Sequence, residues 1–175
     1  MKYHPGGEEH TRHMLAAGGL LPPARILDMG AGAGEAVSVA RELGFDAVGI
    51  DLEPRGSGVE RGDYLHSSLE EGSFEGIFSQ CSFFVSGNAR QAVKEAARLL
   101  SSGGVLMLSD VYPIEEDPAD FAREAGLTVV YEEDMTPLWK QYFIRAIWEE
   151  ATPCIPRGRK YCYKMLIARK NVDSL

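Results

Sequence analysis

Cysteine is scarce in this chain: three residues, Cys81, Cys154 and Cys162, an odd number at wide spacing. That excludes a disulfide framework and the paired spacing of a zinc site, so no metal is expected, and it sets the expectation of a reducing, cytoplasmic compartment. Positive charge is also in deficit. Lys and Arg total 18 against 26 Asp and Glu, a formal net charge of −8. With no long-range field to attract a polyanion, nucleic acid and anionic membrane surfaces are disfavoured as partners. No apolar run approaches the roughly 20 residues of a membrane span, and the first residues lack the apolar segment of a secretory signal. Internal repeats and low-complexity tracts are missing as well. What remains is a 175-residue chain of ordinary apolar content, the size of one domain (1–175) that buries about 70% of its unfolded surface.

The stretch around which the chain is organised is Arg25 to Asp51, RILDMGAGAGEAVSVARELGFDAVGID. Ile26 and Leu27 make a short apolar run suited to a strand buried on both faces. Gly30, Ala31, Gly32, Ala33 and Gly34 form a turn. Ala36, Val37, Val39, Ala40 and Leu43 then recur at helical spacing, Gly44 stops the helix, and Ala47 to Ile50 make a second strand ending at Asp51. This is half of a nucleotide-binding βαβ unit. Gly30 and Gly32 permit positive φ and close approach of a ligand. The helix start offers unpaired N–H groups to an anion, and Asp51 is placed to accept both hydroxyls of a ribose. A dinucleotide fingerprint would put a glycine where Glu35 stands. Glu35 and Asp28 are both unfavourable beside a diphosphate, which speaks against a nicotinamide oxidoreductase, but Asp28 suits an ammonium or sulfonium.

D-M-G-A-G-A-G followed by an acid ending the next strand resembles the class I S-adenosylmethionine-dependent methyltransferases. The resemblance extends over nearly the whole chain. It implies an α/β, Rossmann-like three-layer sandwich: a mostly parallel seven-stranded sheet with an antiparallel last strand. It also implies S-adenosyl-L-methionine as cofactor, with Asp28 toward the methionyl ammonium, Gly30, Ala31, Gly32 and Leu52 against the cofactor, and Asp51 on the ribose. One departure stands out. Only seven residues separate Asp51 from Val59, whereas a parallel crossover normally takes a dozen or more, so the helix after the second strand is expected to be reduced or missing. Gly62-Asp63-Tyr64 resembles the family's next motif, which implies Asp63 on the adenine amino group and Tyr64 or Leu65 against the ring.

The remaining segments fit the same frame. Residues 1–22 hold a helix from about Glu8 to Ala17, readable either as a lid over the cofactor or as a solvated cap. The His4-Pro5-Gly6-Gly7 opening, with Thr11 following, resembles a subfamily of small bacterial methyltransferases, implying Tyr3, His4 and Thr11 at the cofactor or substrate mouth. Phe74 to Gln80 reads as the fourth strand. At its carboxyl end, where open α/β sheets bind ligands, Gln80 and Cys81 are cofactor candidates and Phe83 and Phe84 substrate candidates, although a cysteine is more often simply a buried thiol. Asn88 caps a helix to about Leu100, Val105 to Leu108 form the fifth strand, and Tyr112 follows as a further substrate candidate. Asp117 and Pro118 open a short helix, and Leu127 to Tyr131 make the sixth strand. Residues 132–156 form an insertion with a helix from Thr136. Its Trp139 and Tyr142 are suited to an aromatic cage or simply to core. Arg159 to Lys170 alternate Tyr161, Tyr163, Met165 and Ile167 on one face and fit the family's seventh, antiparallel edge strand.

Methyl transfer from a sulfonium is an in-line displacement that needs positioning and exclusion of water more than acid–base groups, so no catalytic residue is singled out. The chain has no N-P-P-Y segment of the amide-methylating enzymes. A small-molecule acceptor is the expected partner, with oligomeric state open. Two alternatives carry different consequences: a cofactor-binding protein without turnover, and a thiol-dependent enzyme methylating a metalloid such as arsenite, which requires Cys81, Cys154 and Cys162 to converge.

Overall fold

The chain runs α1 (Gly7–Gly18), β1 (Arg25–Met29), α2 (Glu35–Glu42), β2 (Asp46–Asp51), β3 (Val59–Arg61), β4 (Phe74–Gln80), α3 (Ala89–Leu99), β5 (Leu100–Pro113), α4 (Pro118–Glu124), β6 (Leu127–Asp134), α5 (Thr136–Trp148) and β7 (Tyr161–Lys170). This is a computed structural model, and it describes residues 4–148 and 159–172. The strands form one sheet in the order β3-β2-β1-β4-β5-β7-β6. The first five pair in parallel, while β7 runs antiparallel to both β5 and β6.

Each sheet face carries its own core. Met14 and Leu15 of α1 and Ala36, Val37 and Ala40 of α2 pack with Ile26, Phe78, Met107 and Ile167 on one face. Ala92, Val93 and Ala96 of α3 and Phe121 of α4 pack with Leu27, Ile77, Leu106 and Leu166 on the other. Side chains alternate across a strand, so the consecutive apolar residues Ile26-Leu27 and Leu106-Met107 serve both cores. The caps lie where the sequence places them: Asn88 Oδ1 accepts from Gln91 N at 3.2 Å, and Asp117 Oδ1 accepts from Ala119 N at 3.1 Å ahead of Pro118.

No helix stands between β2 and β3. The short connection suffices because β3 pairs only with the last residues of β2, Gly49 with Val59 and Asp51 with Arg61. The chain therefore climbs back about two residues, roughly 7 Å, instead of the height of the sheet. Residues 52–58 instead close onto the glycine turn. Arg55 N donates to Gly32 O at 2.9 Å, and a Cβ on Gly56 would overlap the carbonyl oxygen of Ala33. The link from β3 to β4 is also non-helical. Arg98 of α3 pins it, donating to Leu69 O at 2.9 Å and Ser67 O at 3.3 Å, with Glu95 Oε1 accepting from Ser67 N at 3.2 Å.

Two boundaries differ from the sequence expectation. β5 runs through Leu100–Pro113 rather than Val105–Leu108, because Ser109 to Pro113 continue the ladder with Met165 to Tyr161. β6 extends to Asp134, opposite Lys164. No helix among the described residues is long and apolar enough to cross a membrane.

Candidate active site

The carboxyl ends of β1, β2 and β4 meet at the turn that leads into α2. Gly30 takes φ +90°, and a Cβ there would overlap the Ser82 hydroxyl, with Tyr64 also close by; only glycine fits. Gly30 N and Ala31 N both donate to Ile50 O, at 2.9 and 3.1 Å. The Asp51 carboxylate braces the turn from the next strand: Oδ2 accepts from Gly32 N and Oδ1 from Glu53 N, each at 2.8 Å. No side chain caps the N-terminus of α2, which begins after Gly34 in the left-handed region.

A cleft of about 160 Å³ opens beside this turn, lined by His4, Asp28, Gly30, Ala31, Gly32, Ala33, Glu35, Ala36, Arg55, Gln80 and Cys81. Asp28 is buried in its wall. Burial, reinforced by the negative charge of Asp51, pushes the Asp28 carboxyl up to about 8. Ionising such a group requires a cation beside it. Across the cleft Thr11 donates to Gln80 Oε1 at 2.9 Å, tying α1 to the end of β4. Gln80 Nε2 is buried without a hydrogen-bond partner, an amide donor left for an acceptor that a ligand can supply. Cys81 holds the left-handed conformation at φ 54°, a strained geometry for a residue with a Cβ. Its thiol is pushed up by burial and by Asp110, which argues against a thiolate nucleophile.

Of the residues expected to hold a cofactor, the cleft thus collects Asp28, Gly30, Ala31, Gly32, Gln80 and Cys81, with Asp51 one hydrogen bond behind Gly32. Leu52, Gly62, Asp63 and Tyr64 are not in its lining. Leu52 is exposed, and Asp63 Oδ1 accepts from Leu65 N at 2.8 Å. Tyr64 is buried against Phe83, its hydroxyl donating to Ser82 O at 2.8 Å.

Among the substrate candidates His4 lines the cleft, and Tyr3 lies outside the described residues. Phe83 and Tyr112 are both buried in the core beneath α3 and α4, outside the lining of this cleft. Trp139 and Tyr142 lie on α5, and Trp139 packs against Phe143 with ring centroids 5.5 Å apart; neither lines this cleft. Cys154 lies outside the described residues. Cys162 and Tyr163 project from opposite faces of β7, and Cys81 Sγ meets the Tyr163 hydroxyl at 3.4 Å, so Cys81 and Cys162 do not share a site.

Sequence reasoning missed a buried polar chain under α1. His10 Nε2 lies 2.5 Å from Ser109 Oγ, and Ser109 Oγ donates to the Tyr163 hydroxyl at 2.9 Å, which also meets Cys81. It missed Arg55, and it missed Asp110, whose carboxylate accepts from Phe84 N at 3.0 Å and Val111 N at 2.7 Å and so anchors the loop after β4. Burial raises Asp110 to about 6 against the pull of those N–H groups. The available signal was Ser109-Asp110, two polar residues in an otherwise apolar strand.

The family model described as a methyltransferase domain matches residues 27–108, from β1 through β5. Three solved structures share the fold. A putative sarcosine dimethylglycine methyltransferase from Galdieria sulphuraria superposes with a TM-score of 0.74 at 19% identity, covering 94% of this chain and 85% of that one. The [4+2]-cyclase SpnF superposes with a TM-score of 0.76 at 18% identity, covering 94% and 82%. The phosphoethanolamine N-methyltransferase 2 of Haemonchus contortus, in complex with phosphomonomethylethanolamine and S-adenosylhomocysteine, gives 0.75 at 17% identity. There the shared region covers 96% of this chain and 54% of the neighbour. These likenesses show the fold: a Rossmann-like, mostly parallel seven-stranded sheet between helices.

Proposed function

We propose that the protein transfers the methyl group of S-adenosylmethionine to a small-molecule acceptor. The observation that carries this reading is the buried Asp28 carboxyl, raised to about 8, in the wall of a cleft floored by the glycine turn. A diphosphate there would face Asp28 and Glu35, whereas an ammonium restores the charge of Asp28. The residues present fit the cofactor: Asp28 for the ammonium, the turn from Gly30 to Gly32 for close approach, Asp51 for the ribose, and the free amide of Gln80 for a polar group of the methionyl arm. Asp63 and Leu52 sit on the exposed side left without a helix, suited to the adenine end. When bound, the cofactor supplies an electrophilic methyl on a good leaving group. The chain's part is to hold the reactants in line and exclude water. In this reading α1, tied to Gln80 through Thr11, is the lid, α5 is the described part of the insertion expected over 132–156, of which 149–156 lie outside the described residues, and the His4-Pro5-Gly6-Gly7 opening belongs to the small bacterial subfamily it resembles. The charge of −8 keeps nucleic acid out of the acceptor set.

The test is direct. S-adenosylhomocysteine at a hundred times its Kd is expected to stabilise the fold by about 2.7 kcal/mol, and label from methyl-tritiated cofactor is expected in a small-molecule fraction of cell extract. Absence of any thermal shift at saturating ligand overturns the proposal. A shift with no label transfer favours binding without methyl transfer, a reading given some weight by a fold neighbour named for a cyclisation.

A further inference from the structure

A second cavity, of about 220 Å³, lies between the start of α1 and the start of α5, lined by Gly6, Glu9, His10, His13, Met135 and Leu138. Its floor holds His10, buried to 3% exposure. The tautomer of His10 follows from its neighbours. The Tyr163 hydroxyl lies within bonding distance of the carbonyl of Ser109 (3.3 Å), to which it can only donate, so it accepts the hydroxyl proton of Ser109. Ser109 Oγ then accepts from His10 Nε2–H, leaving Nδ1 with a lone pair. That atom is buried and has no hydrogen-bond partner. The His10 ring lies 6.4 Å from that of His4, which lines the cofactor cleft, so the two cavities have neighbouring walls at this pair.

We propose that the cavity between α1 and α5 is the acceptor site, that it takes a compact neutral hydroxyl compound of phenolic type, and that His10 Nδ1 receives its proton. The proposal rests on the methyl-transfer reading above. The cavity has room for a single ring, with Leu138 and the Met135 thioether as apolar walls. Glu9 at the mouth, and Glu133 paired to His13 at 2.9 Å, disfavour an acceptor that already carries negative charge. In the transfer step the hydroxyl oxygen forms the new O–CH3 bond, the S–CH3 bond breaks with its electron pair going to sulfur, and the proton passes to His10 Nδ1. The products are the ether, S-adenosylhomocysteine and an imidazolium, which loses its proton to solvent. As the C–O bond forms, that proton becomes strongly acidic, so a weak base suffices. Burial, helped by His4 and His13 and opposed by Glu133, pushes His10 down to about 4, which keeps the lone pair free throughout the physiological range.

Phenol is the probe, with the full chain saturated by S-adenosylhomocysteine for binding and by S-adenosylmethionine for turnover. Saturation-transfer NMR is expected to show phenol on the wild-type protein and to lose it in Leu138→Trp, which fills the cavity, with S-adenosylhomocysteine affinity held within about twofold. His10→Gln keeps an amide to donate to Ser109 but has no acceptor at the Nδ1 position. Its kcat for phenol methylation is expected to fall roughly 10²–10⁴-fold, with cofactor affinity unchanged. Phenol binding that survives Leu138→Trp, an unaffected kcat in His10→Gln, or no methyl transfer to phenol at all overturns the proposal while leaving cofactor binding intact. Failure of the wild type to bind S-adenosylhomocysteine overturns instead the reading beneath it, and this proposal with it.

Discussion

If Asp28 holds the methionyl ammonium as proposed, its carboxyl ties cofactor binding to pH. Burial and Asp51 hold it at about 8, so near neutrality it carries a proton. A methionyl ammonium against it favours the carboxylate and returns it toward its ordinary value of 3.8. Between those two values binding releases one proton, and affinity for S-adenosylhomocysteine should rise about tenfold per pH unit, near a hundredfold from pH 5 to pH 7. Keeping below pH 7 leaves the ligand's own amine protonated. Titration calorimetry at pH 7 in two buffers of different ionisation enthalpy reads the same event as about 0.9 proton released per ligand bound. Asp28→Asn removes the titrating group and should flatten the profile. A wild-type profile already flat, or a slope that survives in Asp28→Asn, refutes the assignment of Asp28 to the cation.

Without ligand the same group makes the fold less stable as pH rises, because the folded chain holds the proton that the unfolded chain releases. From pH 6.5 to 8 the Asp28 share of that loss is about 1.5 kcal/mol, roughly 3–6 °C in Tm by calorimetry, and saturating S-adenosylhomocysteine should abolish the slope. His10, held neutral, works in the opposite direction, its contribution growing until the unfolded imidazole has lost its proton, and offsets only about 0.4 kcal/mol of the loss in this window. Asp51→Ala removes the acceptor for Gly32 N and Glu53 N along with the ribose contact, and equilibrium binding should weaken by roughly 1–3 kcal/mol; unchanged affinity means the sugar is held elsewhere. Arg98→Met strips the carbonyls of Ser67 and Leu69 of their donor and leaves Glu95 without its cation. Denaturant unfolding should show a loss of about 1–3 kcal/mol, with cofactor affinity nearly untouched.

Most of what the sequence made legible was local. The turn from Gly30 to Gly34, the Asn88 and Asp117 caps and the two-faced strands each follow from neighbouring residues. The missing helix before β3 was readable by counting from Asp51 to Val59, and the short reach of β3 along β2 explains how the chain closes without it. The mostly parallel sheet with an antiparallel last strand came through resemblance, but that strand, expected at the edge, lies between β5 and β6 and leaves β6 at the edge; no local signal in Tyr161 to Lys170 announces the insertion. The site was less legible because its second half is long-range. His10 meets Ser109 across 99 positions of chain, and α1 alone offers no reason to prefer it to His13. Phe83 and Tyr112 look available in the sequence because they follow strand ends, yet the loop anchored by Asp110 turns Phe83 inward and the prolonged β5 carries Tyr112 into the core.

The most direct measurement of the central claim is a crystal structure of the protein with S-adenosylhomocysteine. The account predicts the ligand along the turn from Gly30 to Gly32, its ammonium beside Asp28 and its ribose hydroxyls on Asp51. A ligand seated elsewhere, or density in the cleft that fits only a diphosphate, contradicts it.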